Sequence, residues 1–523
     1  MSAWHKVGLV GSAATLVSAA LVAGSLSSPQ GPGGRADSVP AANPRFGIEN
    51  NVLASGLSQT PVAWGALPLT NPDLANGVTY YGYNTAGGGP LTQDPHEAFK
   101  TEPDKNVYLV LGGRHFLFQG HETGPRGYVT RVDLDETNPA LRVSLVTDAD
   151  VNGMALPTFD GITWDPFSKQ LLLTAESKAP TGGVWAIALD ASGTPTTGKA
   201  VGLTAIGSGG YEGVQTDSDG NLWLVEDIGG PTVAGTNGKV PNSYVYRFTP
   251  ADTTDLTKGG TLAALQVARA DGTPVTASQL AANPSEPFLS ALHTYGASFR
   301  TAWVTVHSGS SATPFDATAS AAAASATPLK RPENGVFRPG SRFREFYFTE
   351  TGDTNALSTL PGGFGAVFRL AQASPSAMKG TISPVVLGDV THTGFDNISF
   401  ASRDRLLVVE DAGDLLHTQR NALDSGYAID LGGSDTKAKR ISRWLAEGRD
   451  ASALYDATTN PGYNDGDNEI TGIHVSDGDP TVAGLLGAKT PTLYDGTWRE
   501  FWTQQHGDNV TWEVAGPAPR HDH

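Results

Sequence analysis

Acidic residues recur at fixed places in four segments of this 523-residue sequence. In each segment an acidic residue opens one apolar run, and a second acidic residue closes the next apolar run. The four segments are Phe159 to Glu176, Tyr211 to Asp227, Pro332 to Glu350 and Phe395 to Asp411. Carboxylate oxygens are the ligands that hard divalent cations prefer in proteins. If the fold brings these acids together, the pattern predicts a cation site.

Each of the four segments is predicted to fold as a β-hairpin. The polar stretches 217–221 and 401–404 stand between two apolar runs and have the composition of turns. In an antiparallel pair, the start of the first strand lies beside the end of the second strand. Four hairpins arranged radially would therefore bring all of their acidic edges to one mouth. This arrangement is typical of a β-propeller, so we expect an all-β propeller with a carboxylate-lined mouth.

A single all-β body is expected over residues 44–516, because 63 Gly and 34 Pro residues punctuate the chain and long helical periodicities are scarce. An insertion at about 229–330 interrupts the repeated hairpins. Within it, the pattern predicts a helix over 262–270 and a mobile surface loop over the low-complexity run 308–328. Residues 517–523 are predicted to be a disordered tail whose two histidines are solvated.

The charge balance restricts the partners of this protein. Acidic residues outnumber basic residues by 53 to 35, which gives a formal net charge of −18. Such a surface repels nucleic acid and anionic membranes, so we expect no nucleic-acid partner. An enzyme of this charge that acts on a phosphorylated substrate must reverse the sign locally, and bound divalent cations can do so. The sequence has no cysteine, which excludes disulfides and thiolate metal ligands.

The first 24 residues are typical of a secretory signal peptide. Lys6 precedes a nearly uncharged run from Val7 to Ala23, and small residues follow. A membrane anchor is the competing interpretation, because the run is close to the minimum length of a bilayer span. Residues 25–43 are rich in Ser, Gly, Pro and Ala and are predicted to form a flexible linker. We expect a secreted, periplasmic or cell-surface monomer without stable membrane insertion after signal cleavage.

Five short motifs follow one another along the chain. They are Gly120-His121-Glu122-Thr123; Tyr211-Glu212-Gly213 with Val225-Glu226-Asp227; Arg331-Pro332-Glu333; Phe395-Asp396-Asn397; and Glu469-Ile470-Thr471-Gly472 followed by Gln505-His506-Gly507. In this order they resemble motifs of the PhoX family of bacterial secreted alkaline phosphatases. No single motif is specific, but their shared order is. The resemblance implies a six-bladed propeller that hydrolyses a small phosphorylated substrate with bound metal ions.

The chain departs from the family pattern at one metal-binding position. The family has a cysteine that binds iron before the glutamate of its Thr-Cys-Glu-Glu strand, whereas this sequence has Ala175 before Glu176. The family's iron is therefore in doubt, and oxygen ligands favour calcium or another hard ion. The signal peptide also lacks the twin arginine that is usual in the family.

The hairpins and the resemblance together identify candidate metal ligands. These are Glu122, Glu176, Glu212, Glu226, Glu333, Asp396, Glu410 and Glu469. Bound cations would neutralise a phosphate and activate an oxygen nucleophile. The alternative for each residue is structural, as a strand-end carboxylate that bonds to neighbouring backbone or orients another ligand.

Arg331, Glu333 and His121 are the expected catalytic residues. The planar guanidinium of Arg331 matches phosphate oxygens bidentately. Pro332 biases Arg331 toward an extended conformation, which would place the side chains of Arg331 and Glu333 on one face. His121 would serve as a hydrogen-bond donor or metal ligand. The structural alternatives are an ion pair for Arg331 and a core position for His121.

Two other functions are compatible with an acidic propeller mouth. Calcium-dependent lactonases of the propeller type also use Glu, Asn and Asp there, and Glu212 with Asp396 and Asn397 would serve them. The Arg331-Pro332-Glu333 motif argues against this function. A non-catalytic, calcium-stabilised propeller that binds a surface partner is the second alternative, and the missing cysteine favours it.

Overall fold

The computed structural model describes residues 50–82, 101–122, 126–177, 182–434, 438–448 and 468–517, except for the side chain of Asp414. These residues belong to one compact unit. The predicted signal peptide and linker, and all of the predicted tail except Pro517, lie outside the described residues. Among the described residues, no helix combines the length and the apolar character that a bilayer span requires.

Strands dominate the structure. In the first half of the chain they are β1 (Val52–Leu53), β2 (Ser58–Ala63), β3 (Pro68–Asp73), β4 (Val78–Tyr80), β5 (Pro103–Leu111), β6 (Arg114–His121), β7 (Val129–Asp133), β8 (Val143–Thr147), β9 (Ile162–Asp165), β10 (Gln170–Ala175), β11 (Gly183–Ala188), β12 (Val201–Gly202), β13 (Tyr211–Thr216), β14 (Leu222–Glu226), β15 (Thr232–Val233), β16 (Gly238–Lys239), β17 (Val245–Pro250) and β18 (Gly260–Ala268).

The described residues of the second half form twelve further strands and four short α-helices. They are α1 (Ala277–Ala282), α2 (Pro287–Leu292), β19 (Phe299–Gly309), α3 (Ala317–Ala323), β20 (Pro332–Phe337), β21 (Glu345–Glu350), β22 (Ala366–Gln372), β23 (Lys379–Leu387), β24 (Phe395–Ser402), β25 (Arg405–Glu410), α4 (Gly413–Arg420), β26 (Ser425–Asp430), β27 (Arg440–Ala446), β28 (Glu469–Ser476), β29 (Arg499–Gln505) and β30 (Thr511–Ala515). The predicted all-β class is confirmed.

Most strands belong to six groups of four antiparallel neighbours. In order of pairing, the groups are β5-β6-β7-β8, β9-β10-β11-β12, β13-β14-β17-β18, β20-β21-β22-β23, β24-β25-β26-β27 and β28-β29-β30-β2. Strand β19 joins the third group to the fourth, and β1 adds to the edge of the fifth. The sixth group combines strands from both ends of the described chain, since β2 pairs with β30.

The first strand of each group is its inner strand. The inner strands contact one another in the order β5, β9, β13, β20, β24, β28 and back to β5, which closes a ring. The hydrophobic clusters lie between successive groups: one combines Phe118 of β6 with Leu173 of β10, and another combines Tyr347 of β21 with Val408 of β25. Burial of these side chains between groups stabilises the ring.

All four predicted hairpins are confirmed. They are the antiparallel pairs β9-β10, β13-β14, β20-β21 and β24-β25. Each places an inner strand beside the second strand of its group. The hairpin β5-β6 has the same position in the first group.

Two predictions for the insertion are wrong. The run 262–270 is not a helix, because Gly260–Ala268 forms β18 between β17 and β19. Both faces of this strand are buried, because Ala263 and Leu265 pack in one hydrophobic cluster and Leu262 and Ala264 in another. Its apolar residues are therefore nearly continuous and do not show the alternation that identifies an exposed strand. The run 308–328 is not merely a loop, because α3 lies within it. The Asp316 side chain caps α3 by accepting a hydrogen bond from Ala319 N, and Ala321 is fully buried.

Candidate metal centre and active site

A cavity of about 210 Å³ lies at one end of the ring of inner strands. It is lined by nine acidic residues together with Arg331, Thr354, Ala412 and Gly413. The nine acidic residues, called the carboxylate ring below, are Asp104, Glu122, Asp160, Glu176, Glu212, Asp227, Glu333, Asp396 and Asp411.

Five members of the carboxylate ring lie at the start of an inner strand. Asp104, Glu212, Glu333 and Asp396 are each the second residue of β5, β13, β20 and β24. Asp160 lies just before β9, where its backbone N–H donates to Thr174 O at 3.1 Å and so extends the ladder. Because the inner strands form a closed ring, equivalent positions on them converge.

The other four members directly follow a second strand. Glu122 follows β6, Glu176 follows β10, Asp227 follows β14 and Asp411 follows β25. These residues lie beside the openings of their own inner strands, as antiparallel pairing requires. The hairpin geometry expected from the sequence therefore brings two acids from one group to the same cavity.

The preceding residue in each second strand lies outside the cavity. Glu226, the last residue of β14, accepts hydrogen bonds from Tyr244 N and Tyr246 Oη, both at 3.0 Å. Glu410, the last residue of β25, accepts from the guanidinium of Arg420 at 3.0 and 3.1 Å. Successive side chains of a strand point to opposite faces, so an acid one position earlier is directed away from the cavity.

His121, the last residue of β6, is likewise buried outside the cavity. Its Nε2 lies 3.0 Å from Thr130 Oγ1, and its ring stacks on Tyr128 at 4.3 Å between centroids. Burial lowers the pKa of His121 to about 3, which keeps the imidazole neutral. Glu469 is not part of the cavity lining but borders it, because its Oε1 would lie 3.7 Å from a Cβ added to Gly413. The Oε2 of Glu469 lies 3.1 Å from His506 Nε2.

Three sets of acids in the carboxylate ring could each hold a cation, because their ligand oxygens lie within 4.8 Å of one another. The sets are Asp104, Asp160 and Glu212; Glu122, Asp160 and Glu176; and Glu212, Glu333 and Asp396. Five of the eight predicted metal ligands belong to these sets: Glu122, Glu176, Glu212, Glu333 and Asp396. Asp160 and Glu212 each belong to two sets, so adjacent cations could share a bridging carboxylate.

The electrostatics of the carboxylate ring favour cation binding. Burial, reinforced by neighbouring carboxylates, raises the pKa of Asp104, Asp160, Glu212 and Glu333 well above the usual carboxyl range. Burial also raises the pKa of Asp396 to about 8. Among the residues that the structure describes, Arg331 is the only cation that lines the cavity, beside nine acids. An all-oxygen donor set with excess negative charge fits hard cations such as calcium.

The position of the missing cysteine does not contribute a ligand. Ala175 is fully buried and packs in a hydrophobic cluster with Phe159 and Ile162. The donor set therefore fits an oxygen-ligated cation better than thiolate-ligated iron.

Arg331 does not have the extended conformation that its position before a proline predicts. Its φ is +60°, in the left-handed region. The flanking backbone is fixed, because Lys330 N donates to Glu350 Oε1 at 2.6 Å and Thr351 N donates to Arg331 O at 2.9 Å. These buried hydrogen bonds override the local preference. Arg331 and Glu333 still reach the same cavity, with Nη2 3.6 Å from Glu333 Oε1.

Asp227 holds the guanidinium of Arg331 on one edge. Arg331 Nε lies 2.8 Å from Oδ1, and Nη2 lies 2.5 Å from Oδ2. Burial alone would lower the pKa of Arg331, but Asp227 and Glu333 outweigh this effect and raise it. The arginine is therefore a permanent positive charge at the edge of the carboxylate ring.

Four acids of the carboxylate ring are not among the ligands predicted from the sequence: Asp104, Asp160, Asp227 and Asp411. A signal was present for three of them, because Asp160, Asp227 and Asp411 stand in the same hairpins as the selected residues. Once the register and the cavity-facing side of each hairpin are known, the alternation of strand side chains selects Asp227 over Glu226 and Asp411 over Glu410. The sequence around Asp104 matches the repeated pattern less well, because Lys105 follows the acid where the other hairpins have Gly or Asn.

Comparisons with known proteins agree with the sequence motifs. The profile of the family described as "Alkaline phosphatase PhoX" matches residues 185–485, which is more than half of the chain. No curated protein matches the chain. The structure of PhoX from Pseudomonas fluorescens in complex with vanadate, a transition state analogue, has a TM-score of 0.56 at 13% identity, covering 92% of this chain and 97% of that chain.

Two other solved structures are much less similar. A Trichoderma reesei carbohydrate-active enzyme of family AA12 has a TM-score of 0.37 at 9% identity, covering 90% of this chain and 98% of that chain. A periplasmic gluconolactonase of Pseudomonas aeruginosa has a TM-score of 0.34 at 13% identity, covering 75% of this chain and 96% of that chain. These scores are too low to support an argument. The profile match, together with the ordered motifs that line or border one cavity, shows that this chain belongs to the PhoX alkaline phosphatase family.

Proposed function

We propose that this protein is an exported, metal-dependent phosphomonoesterase. The observation that carries the proposal is the carboxylate ring with Arg331 at its edge, in a chain of the PhoX family. The ring can concentrate cations, and the arginine can bind a phosphoryl oxygen beside them. A small phosphorylated substrate is the class that suits both features.

We also infer that the six groups of strands are the blades of a six-bladed propeller. The closed ring of inner strands and the four-stranded antiparallel groups support this inference. A propeller presents equivalent strand ends at one mouth, which accounts for the convergence of the acids.

Calcium is the cation that the donor set favours. Asp104, Asp160 and Glu212, together with Glu333 and Asp396, would hold it through carboxylate oxygens. When bound, divalent cations supply Lewis acidity toward phosphoryl oxygens. Glu122 and Glu176 would complete the donor set beside Asp160. Iron is disfavoured because Ala175 supplies no thiolate.

Arg331 would bind the phosphoryl group of the substrate. Asp227 occupies Nε and Nη2 and so fixes the plane of the guanidinium. Nη1 makes no hydrogen bond to any residue that the structure describes, and it is the group that we assign to a phosphoryl oxygen. Because Arg331 keeps its charge at alkaline pH, it can stabilise the additional negative charge of the transition state.

Hydrolysis of para-nitrophenyl phosphate by the purified protein tests the proposal directly. We expect turnover at alkaline pH that is lost after EDTA treatment and restored by calcium. Absence of turnover with calcium and with every other added divalent cation would reject the enzyme function. Turnover of a lactone alone would instead favour the lactonase alternative, and calcium binding without any turnover would favour the non-catalytic propeller.

Export is a separate part of the proposal. Residues 1–24 would direct secretion and then be removed, which leaves the linker 25–43 before the folded body. The signal pattern supports a secreted, periplasmic or cell-surface location, where we expect the protein to be a monomer.

A further inference from the structure

Lys105 is a buried cation on the inner face of the ring of strands. It is the third residue of β5, directly after Asp104, and only 3% of it is exposed. Lys105 also lines a second, narrower cavity of about 70 Å³, with Val336, Ile398 and Ile473 of other inner strands. Lys105 therefore lies between this smaller cavity and the carboxylate ring, because its neighbour Asp104 is a member of that ring.

The ammonium group of Lys105 is tied to one member of the carboxylate ring. Its Nζ donates to Asn334 Oδ1 at 2.8 Å, and Asn334 Nδ2 lies 3.4 Å from Asp396 Oδ1. Because lysine can only donate, it fixes the carbonyl end of the amide toward itself and the NH₂ end toward Asp396. A Cβ added at Gly213 would lie 2.6 Å from Asn334 Oδ1, so the glycine leaves the space that Asn334 occupies.

The positive charge of Lys105 acts on several acids at once. Lys105 directly follows Asp104 in β5, and Asn334 joins its ammonium group to Asp396. Asp104 and Asp396 belong to two of the three cation-binding sets. In a buried site, charges interact far more strongly than they do in water. The ammonium therefore offsets part of the repulsion among the acids when no metal is bound, and it repels an incoming divalent cation.

We propose that Lys105 is a built-in counter-cation of the carboxylate ring, which positions Asp396 through Asn334 and weakens divalent-cation binding at Glu212, Glu333 and Asp396. The proposal rests on the metal-dependent function proposed above. It assigns Lys105 a positioning role, and the lysine itself does not touch the substrate. Its chemical consequence is that the cation affinity of this site is set below the value that the acids alone would give.

Calorimetric calcium titration of the EDTA-treated protein, with metal content measured by elemental analysis, tests the proposal. Lys105→Met removes the charge at similar volume. We expect the variant to bind calcium about tenfold more tightly or better, because the repulsion between the ammonium and the cation is removed. We also expect the metal-free variant to melt at a lower temperature than the metal-free wild type, and calcium to reverse most of this difference.

Arg247→Met is the matched control. Arg247 is another buried cation, but its guanidinium lies over Trp303 at 4.9 Å and donates to the carbonyls of Pro375 and Ala377. Its loss should lower stability and leave calcium affinity unchanged. If Lys105→Met does not fold, Lys105→Gln decides the matter, because it keeps a donor toward Asn334 without the charge.

The outcomes separate the two proposals. Calcium binding by the wild type, with equal or weaker binding by the Lys105 variants, would overturn the role of Lys105 and leave the metal-dependent function in place. A wild type that binds no divalent cation would overturn both proposals. Tighter binding by both the Lys105 and the Arg247 variants would assign the effect to general loosening of the fold and would also overturn the role of Lys105.

Discussion

Arg331 Nε and Asp227 Oδ1 lie 2.8 Å apart, and this contact joins the third group of strands to the fourth at the edge of the carboxylate ring. Asp227 follows the second strand of one group, and Arg331 precedes the inner strand of the next. A two-point contact between a carboxylate and a guanidinium fixes both the distance and the plane of the arginine. The pair therefore holds the guanidinium of Arg331 in one orientation, as the proposed binding of a phosphoryl group requires.

The first prediction concerns the shape of the Arg331 side chain. Arg331→Lys keeps the charge but removes the planar fork, so we expect kcat/KM for para-nitrophenyl phosphate to fall by about tenfold or more, since about 1.4 kcal/mol of transition-state binding corresponds to one decade. Metal content should not change. Arg338→Lys is the control, because Arg338 pairs with Glu345 at 3.0 Å far along β21 from the cavity end. Unchanged kinetics in Arg331→Lys would mean that Arg331 serves only as a structural ion pair.

The second prediction compares the two acids of one hairpin. Glu212→Gln removes a carboxylate that belongs to two cation-binding sets, and we expect it to lower the metal content of the purified protein. Glu226→Gln should leave metal content unchanged, because Glu226 faces Tyr244 and Tyr246 outside the cavity. Elemental analysis of the two variants side by side makes the measurement. Equal metal loss in both would contradict the assignment of the cavity as the metal centre.

The third prediction follows from the pKa of Asp396, which burial raises from 3.8 to about 8 in the metal-free protein. Between about pH 4 and pH 8 the Asp396 carboxyl holds a proton in the folded state that it has released in the unfolded state. The contribution of Asp396 to the free energy of unfolding is therefore fully present below about pH 4 and is lost as the pH rises toward 8. The slope is about 1.4 kcal/mol per pH unit for each such proton. Other members of the ring with raised pKa values act in the same direction.

Thermal unfolding at several pH values, with calcium and with EDTA, measures this dependence. We expect the Tm of the EDTA-treated protein to fall from pH 5 to pH 8, and calcium to remove most of that fall by mass action. A Tm that does not respond to EDTA at pH 8, with metal removal verified by elemental analysis, would show that the carboxylate ring is not a structural metal site.

The fourth prediction concerns export. Expression of the full chain in a bacterial host with a secretion pathway should yield protein outside the cytoplasm whose N-terminus lies near residue 25, because residues 1–24 have the pattern of a signal peptide. N-terminal sequencing of the exported protein makes the measurement. A retained N-terminus in the membrane fraction would instead support the anchor interpretation.

The sequence predicted the all-β class, the four hairpins and five acids of the cavity, because each depends on local pattern. Turn residues between apolar runs identify a hairpin, and antiparallel pairing then places its ends together. The sequence did not show that Asp227, and not Glu226, lines the cavity, since this choice requires knowing which face of β14 meets the cavity. That face is set by packing between groups, which composition does not reveal.

Two further features could not be predicted because distant contacts determine them. The left-handed backbone of Arg331 is fixed by hydrogen bonds to Glu350 and Thr351 on the paired strand. The strand β18 looked helical because both of its faces are buried, with Ala263 and Leu265 in one hydrophobic cluster and Leu262 and Ala264 in another, which removes the alternation. In both cases, tertiary contacts overrode a local preference.

The pairing of β2 with β30 has a consequence for the timing of folding. Ser58 lies opposite Ala515, so the group that closes the ring cannot form until nearly the whole chain is available. Contacts between residues so far apart in sequence are slow to form, because the entropy of closing the intervening chain must be lost first. Earlier groups can collapse while the chain is still emerging, but the ring stays open until its final strands arrive. We therefore expect a nascent chain to remain incompletely folded through most of its synthesis, which is the state that the proposed export would require if the chain crosses the membrane as an extended polypeptide.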